Sequence, residues 1–155
     1  MEGHNFEKLS KHILSMSVAQ NFNAARSEWD LIYVEISEEL DHCPCGQTIL
    51  EHCYITNRLT NQNTYVGNVC INRFLGIDTG NLFEGLKRIR DDNSSNANEA
   101  VIEYAQNRGY LYEKEYQFLH NTRLKRKLSE AQLLWKIKIN RRILNNTVVS
   151  RRTAR

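Results

Sequence analysis

Four cysteines, in the order Cys43-Pro44-Cys45-Gly46, Cys53 and Cys70, limit the fold of the middle of this chain more than any other feature. A thiol pair one residue apart forms a tight knuckle. Gly46 can take the positive φ that turns backbone amides toward the sulfurs, and Pro44, the single proline of the chain, stiffens the loop. Cys70 follows Val66-Gly67 at the expected start of a helix, where the amide dipoles favour a thiolate. Two pairs of sulfurs brought together by a hairpin are what a tetrahedral zinc site requires. The expected ligands of one structural Zn2+ are Cys43, Cys45, Cys53 and Cys70. His52 is the alternative to Cys53, because strand register decides which of the two neighbours faces the metal. The competing readings are four buried thiols without a metal and a redox C-x-C pair, which lacks a thioredoxin-like setting around Cys43.

The polar start, Met1-Glu2-Gly3-His4-Asn5, has no basic-then-apolar layout of an export signal, and no apolar run approaches the ~18 residues that span a bilayer. A cytoplasmic protein without a membrane partner is expected. In that compartment cysteines stay reduced, so metal binding is favoured over disulfides. With 155 residues, 41% of them hydrophobic, the chain suits one domain or a compact core with a small appendage.

Residues 6–22 carry Phe6, Leu9, Ile13, Leu14 and Val18 near helical spacing, and a short helical stretch covers 23–28. Trp29 to Ile36, Ile49 to Asn57 and Thr64 to Val66 read as strands, with polar turns at 38–41 and 58–63. Asn68 can cap a short helix bearing Cys70, Ile71 and Phe74. Helices are expected over 82–90, 97–107, 112–122 and 130–144. Gly109 stops the second of these, and Ser129 and Gln132 show capping-box spacing at the start of the last. The fold class is therefore α+β, a small antiparallel zinc-bound sheet flanked by an N-terminal helix and a C-terminal helical region. The expected segments are 1–28 (helical), 29–76 (zinc-binding β module), 77–144 (helical) and 145–155 (a basic flexible tail).

The run Cys43-x-Cys45-Gly46, Ile55-x-Asn57-x-x-Thr60, Val66-Gly67-x-x-Cys70-Ile71-x-x-Phe74 resembles a zinc-binding module in uncharacterised proteins of bacteriophages and large DNA viruses. Glu28-Trp29-Asp30-Leu31 and the helical pieces Glu113-x-Glu115-x-x-Phe118-Leu119, Leu128-Ser129-x-x-Gln132 and Lys136-Ile137-x-Ile139-Asn140 are similar to the same family. The similarity spans residues 25–144 in scattered pieces. It implies a viral or mobile-element origin, bound zinc and no established enzymatic activity.

Charge is unevenly spread. Residues 120–155 hold 11 Lys/Arg against one Asp/Glu, whereas residues 1–119 hold 10 against 17. An anionic partner should meet the C-terminal segment, and the expected phosphate contacts are Arg123, Lys125, Arg126, Lys127, Lys136, Lys138, Arg141 and Arg142, with Arg151, Arg152 and Arg155 in the tail. On a helical wheel, Leu133, Ile137 and Leu144 form one apolar face and Trp135, Ile139 and Ile143 another. That pattern equally suits a structural helix with solvated cationic flanks. Tyr54 and Tyr65 have two readings, bases stacked on a sheet or packing in a small core, and core packing is favoured.

The chain has no P-loop, G-x-G-x-x-G, H-E-x-x-H or G-x-S-x-G motif, and four thiolates would close a zinc site to substrate. A non-catalytic zinc-binding accessory protein that contacts nucleic acid is expected. The alternatives are a protein-binding adaptor or inhibitor of a host protein or complex and, more remotely, a zinc-finger nuclease using His42, His52 or His120.

Overall fold

The computed structural model describes residues 4–149. The chain folds as two compact units, Met1–Thr79 and Gly80–Arg155. The expected α+β class is observed, with the sheet in the first unit and the C-terminal helices in the second. The tail arginines Arg151, Arg152 and Arg155 lie outside the described residues.

In the first unit, α1 (His4–Ser15) and α2 (Phe22–Arg26) precede an antiparallel sheet of β1 (Trp29–His42), β2 (Thr48–Asn57) and β3 (Asn63–Gly67), followed by α3 (Asn68–Phe74). The strands lie in the order β1-β2-β3. Side chains alternate across a strand, so register assigns each residue to a face. Val34, Cys53 and Val66 form one row across the three strands, with Leu31, Ile55 and Thr64 beside it. α1 covers this face, its Leu9 and Ile13 fully buried one turn apart and its His12 Nε2 2.7 Å from Thr64 Oγ1. The segment 38–41, expected as a turn, instead lies within β1, where a register shift between Ile36 and Asp41 accommodates extra residues as a bulge.

A buried polar latch ties the helices to the hairpin. The Glu28 carboxylate accepts the Val18 and Ala19 amides at 2.9 and 2.8 Å and Asn57 Nδ2 at 2.9 Å. Asn57 Oδ1 in turn accepts the Leu59 and Thr60 amides of the β2–β3 turn. The Asn57 bond, and then the amides, hold the Glu28 carboxyl below its usual range.

The second unit comprises α4 (Gly80–Asp91), α5 (Glu99–Arg108), α6 (Glu113–Thr122) and α7 (Glu130–Leu144). Asn98 caps α5, and Gly109 ends it with φ of 79°, the left-handed conformation that glycine adopts without penalty. Ser129 and Gln132 form the expected capping box on α7. The buried stripe of α7 is Lys136, Ile139, Asn140 and Ile143, one face rather than the two apolar faces of the helical wheel. Leu133 and Leu134 are exposed, and Trp135 stacks on Phe118 at 4.3 Å. No helix among the described residues is long and apolar enough to cross a membrane.

Candidate metal centre

The loop joining β1 to β2 is the cysteine knuckle. The Cys43 amide donates to Gln47 O at 2.9 Å and the Gly46 amide to Cys43 O at 2.7 Å, which closes the loop on itself. Gly46 has φ of 100°, a conformation costly for any residue with a Cβ. α1 reaches this loop: a Cβ at Gly46 would stand 3.2 Å from Lys8 Nζ. β3 runs back alongside β2 and ends at Gly67, which also serves as the N-cap of α3. Cys70, in the first turn of that helix, is thereby delivered to the knuckle.

Cys43, Cys45 and Cys70 place their sulfurs within 4.8 Å of one another, and all three residues are buried. The Cys43 and Cys70 sulfurs are 3.6 Å apart in a shared hydrogen bond, far beyond the length of a disulfide. A tetrahedral zinc–thiolate site with ~2.3 Å bonds has sulfur–sulfur edges of about 3.8 Å, and the Cys43–Cys70 separation is close to that edge. Three close, buried sulfurs of this kind can hold a metal ion.

The backbone is arranged for negative sulfur. The Gly67 amide donates to Cys43 Sγ at 3.3 Å. With the Cys70 hydrogen bond as the largest cause and the Cys45 and Gly67 amides assisting, the Cys43 thiol is lowered to about 6. Burial raises Cys45. The bond to Cys43 is the leading cause that raises Cys70. The three sulfurs therefore share one negative charge readily and resist a second, until a cation compensates it. Gly67 is also required sterically, since a Cβ there would lie 2.8 Å from Ile49 Cγ2 and 3.7 Å from Cys43 Cβ.

Cys53 and His52 are not brought into this cluster. Cys53 points into the core row between Val34 and Val66, fully buried, and burial pushes its thiol up to about 12 despite the Thr79 hydroxyl. His52, one residue earlier, is on the opposite face. Its Nδ1 lies 3.2 Å from Leu50 O and its Nε2 3.2 Å from the Asp41 carboxylate. Among the described residues, no fourth His, Cys, Asp or Glu joins the group. Three of the four expected sulfurs are thus brought together, and Cys53 stands apart from them.

The expected phosphate-binding residues divide in two. Lys125, Arg126, Lys127, Lys138 and Arg141 are exposed and Arg123 is half-buried; Arg123 donates to His120 O at 3.0 Å and Arg141 to Asn93 Oδ1 at 3.0 Å. Lys136 and Arg142 are turned inward, which corrects their assignment as phosphate contacts. Lys136 is fully buried and donates to Asn96 Oδ1 and, at 3.1 Å, to Thr122 Oγ1. Arg142 pairs with Glu115, Nη2 to Oε2 at 3.0 Å, and only 11% and 7% of the two side chains are exposed. A cleft of about 490 Å3 beside the exposed run is lined by Asn96, Arg123, Lys125 and Arg126 over Leu124 and Leu133.

Sequence reasoning overlooked Gly67 as an amide donor and close neighbour of Cys43. The Gly-x-x-Cys spacing at a helix start was the signal available. No protein-family model matches the chain, and no curated protein or solved structure matches it either.

Proposed function

We propose that this protein is a zinc-organised, non-catalytic accessory protein of the kind found in phages and large DNA viruses, acting in the cytoplasm and contacting nucleic acid through its second unit. The Cys43, Cys45 and Cys70 cluster carries the metal part of this reading. Thiolate donors favour zinc over magnesium or calcium. A structural role follows from the burial of all three cysteines, which leaves little room for a substrate at the ion. Zinc there would join the knuckle to α3 and supplement the small core of the first unit.

The nucleic-acid part rests on the exposed cations Lys125, Arg126 and Lys127, with Arg123, Lys138 and Arg141 nearby in sequence. Such a patch neutralises phosphates and releases counterions, so affinity falls steeply with salt. Binding to a DNA or RNA oligonucleotide should weaken by orders of magnitude between low and moderate salt. The triple variant Lys125→Glu, Arg126→Glu, Lys127→Glu should reduce the steepness of that dependence by about three phosphate contacts. Binding that does not change with salt overturns the nucleic-acid part and leaves the metal part standing.

A protein-binding adaptor is the second reading. Leu124 and Leu134 are 83% and 62% exposed beside the same cations, and exposed apolar side chains of this size mark protein contacts when grouped. A stoichiometric protein partner that survives nuclease treatment, and is lost in Leu124→Asp, would favour it.

A further inference from the structure

The sheet of the first unit has a second face, and it is not covered as the first is. Register places Tyr33, Tyr54 and Tyr65 in a single row across all three strands. The next row is Glu35, His52 and Gly67, and on the other side of the tyrosines lie Asp30, Thr56 and Asn63. Tyr54 and Tyr65 were expected in the core. Parity puts the row on the face opposite Cys53, Ile55 and Val66, and all three tyrosines are half-buried.

These rings are held in place. Tyr33 and Tyr54 stack at 4.5 Å with an interplanar angle of 15°. Tyr65 lies 5.9 Å from Tyr54 and 4.8 Å from the His52 ring. Tyr54 donates its hydroxyl to Glu35 Oε1 at 3.2 Å and Tyr65 to His42 O at 3.0 Å. Rings fixed in this way offer contact area at little further entropic cost on binding.

The charge around them is mainly negative. Glu35 is exposed, and the Asp41 carboxylate, half-exposed, sits against His52 Nε2. β1 alone carries Asp30, Glu35, Glu38, Glu39 and Asp41. Arg58, at one end of the face, is already paired with Asp30 at 3.0 Å. The unit as a whole has ten Asp/Glu and five Lys/Arg. Such a field repels phosphates and draws in cations, and aromatic faces attract guanidinium and ammonium groups directly.

We propose that this face is a docking surface for an Arg/Lys-bearing segment of a partner protein, its cationic side chains seated on the Tyr33–Tyr54–Tyr65 row and paired with Glu35 and Asp41. The surface is independent of the nucleic-acid reading of the second unit, which uses residues of opposite charge.

The test is a titration of the full-length, zinc-loaded protein with a short fluorescent poly-arginine peptide, a poly-glutamate peptide of the same length and a poly-uridine strand. The arginine peptide should bind, and added salt should weaken it. Tyr33→Leu and Tyr65→Leu keep apolar cover but remove the aromatic face, and each should weaken binding about three- to fivefold. Glu35→Gln with Asp41→Asn should weaken it further. Circular dichroism and zinc content identical to wild type will show that these variants are folded. Undiminished affinity for the arginine peptide in the folded tyrosine variants, or loss of poly-uridine rather than arginine-peptide binding in them, would overturn the proposal.

Discussion

Replacing Lys136 with methionine should change how the stability of the second unit depends on pH. The ammonium group is fully buried and bonded to two neutral oxygens, Asn96 Oδ1 and Thr122 Oγ1. Phe118 lies 5.7 Å below it. Desolvation lowers its pKa from the ordinary 10.5 to about 8. The unfolded chain therefore binds this proton more tightly than the folded one, and the penalty at neutral pH is about 3 kcal/mol. The sign is opposite to that of a salt-bridged lysine. Stability is lowest below pH 8 and rises as pH climbs toward 10.5, by about 1.3 kcal/mol at pH 9 and about 2.5 kcal/mol at pH 10 relative to pH 7. Lys136→Met removes the desolvated charge but leaves two oxygens short of a donor, at about 1 kcal/mol each. The net expectation at pH 7 is a gain of about 1 kcal/mol.

Urea unfolding followed by circular dichroism, on wild type and variant at pH 7, 9 and 10, measures this. Subtracting one profile from the other cancels the titration of the tyrosines and remaining lysines. The difference should move in favour of wild type by about 2.5 kcal/mol between pH 7 and pH 10. Parallel profiles would refute the reasoning and mean that the ammonium group is hydrated in the folded protein.

Two further substitutions probe the packing around each unit's key residues. Glu115→Ala should destabilise the second unit by about 3–5 kcal/mol in urea unfolding, because it leaves the Arg142 guanidinium buried without its partner; a loss under 1 kcal/mol would show that Arg142 escapes to water. Gly67→Ala should cost about 1–3 kcal/mol in thermal unfolding and weaken metal binding, since the new methyl meets Ile49 Cγ2 beside Cys43.

The local signals in the sequence carried much of this structure. α7 begins and ends at the residues expected, Glu130 and Leu144, because Ser129 and Gln132 satisfy each other within one turn. The three strands were legible from their β-branched and aromatic residues, and the knuckle from Cys43-Pro44-Cys45-Gly46. What was not legible depended on parity and on distant partners. Whether Cys53, His52 or Tyr54 faces the core follows from the pairing of β2 with β1 and β3, and a shift of one residue reverses all three. The inward turn of Lys136 and Arg142 depends on Asn96, Thr122 and Glu115, which lie 40, 14 and 27 residues away in sequence. No periodicity rule places a lysine in a core, because its burial is tolerated only where oxygens from other elements already wait. The bulge in β1 was missed for a related reason: Glu38-Glu39-Leu40-Asp41, three of its four residues acidic, reads as a turn until the opposite strand shows that pairing resumes at Asp41.

Zinc content with single cysteine variants tests the central claim most directly. Inductively coupled plasma mass spectrometry on the purified protein should find one zinc per chain. Cys43→Ser, Cys45→Ser and Cys70→Ser should each lose it, while Cys53→Ser, altering a core thiol outside the cluster, should retain it at reduced stability. Zinc retained in Cys70→Ser, or lost in a folded Cys53→Ser protein, would contradict a metal centre built on Cys43, Cys45 and Cys70.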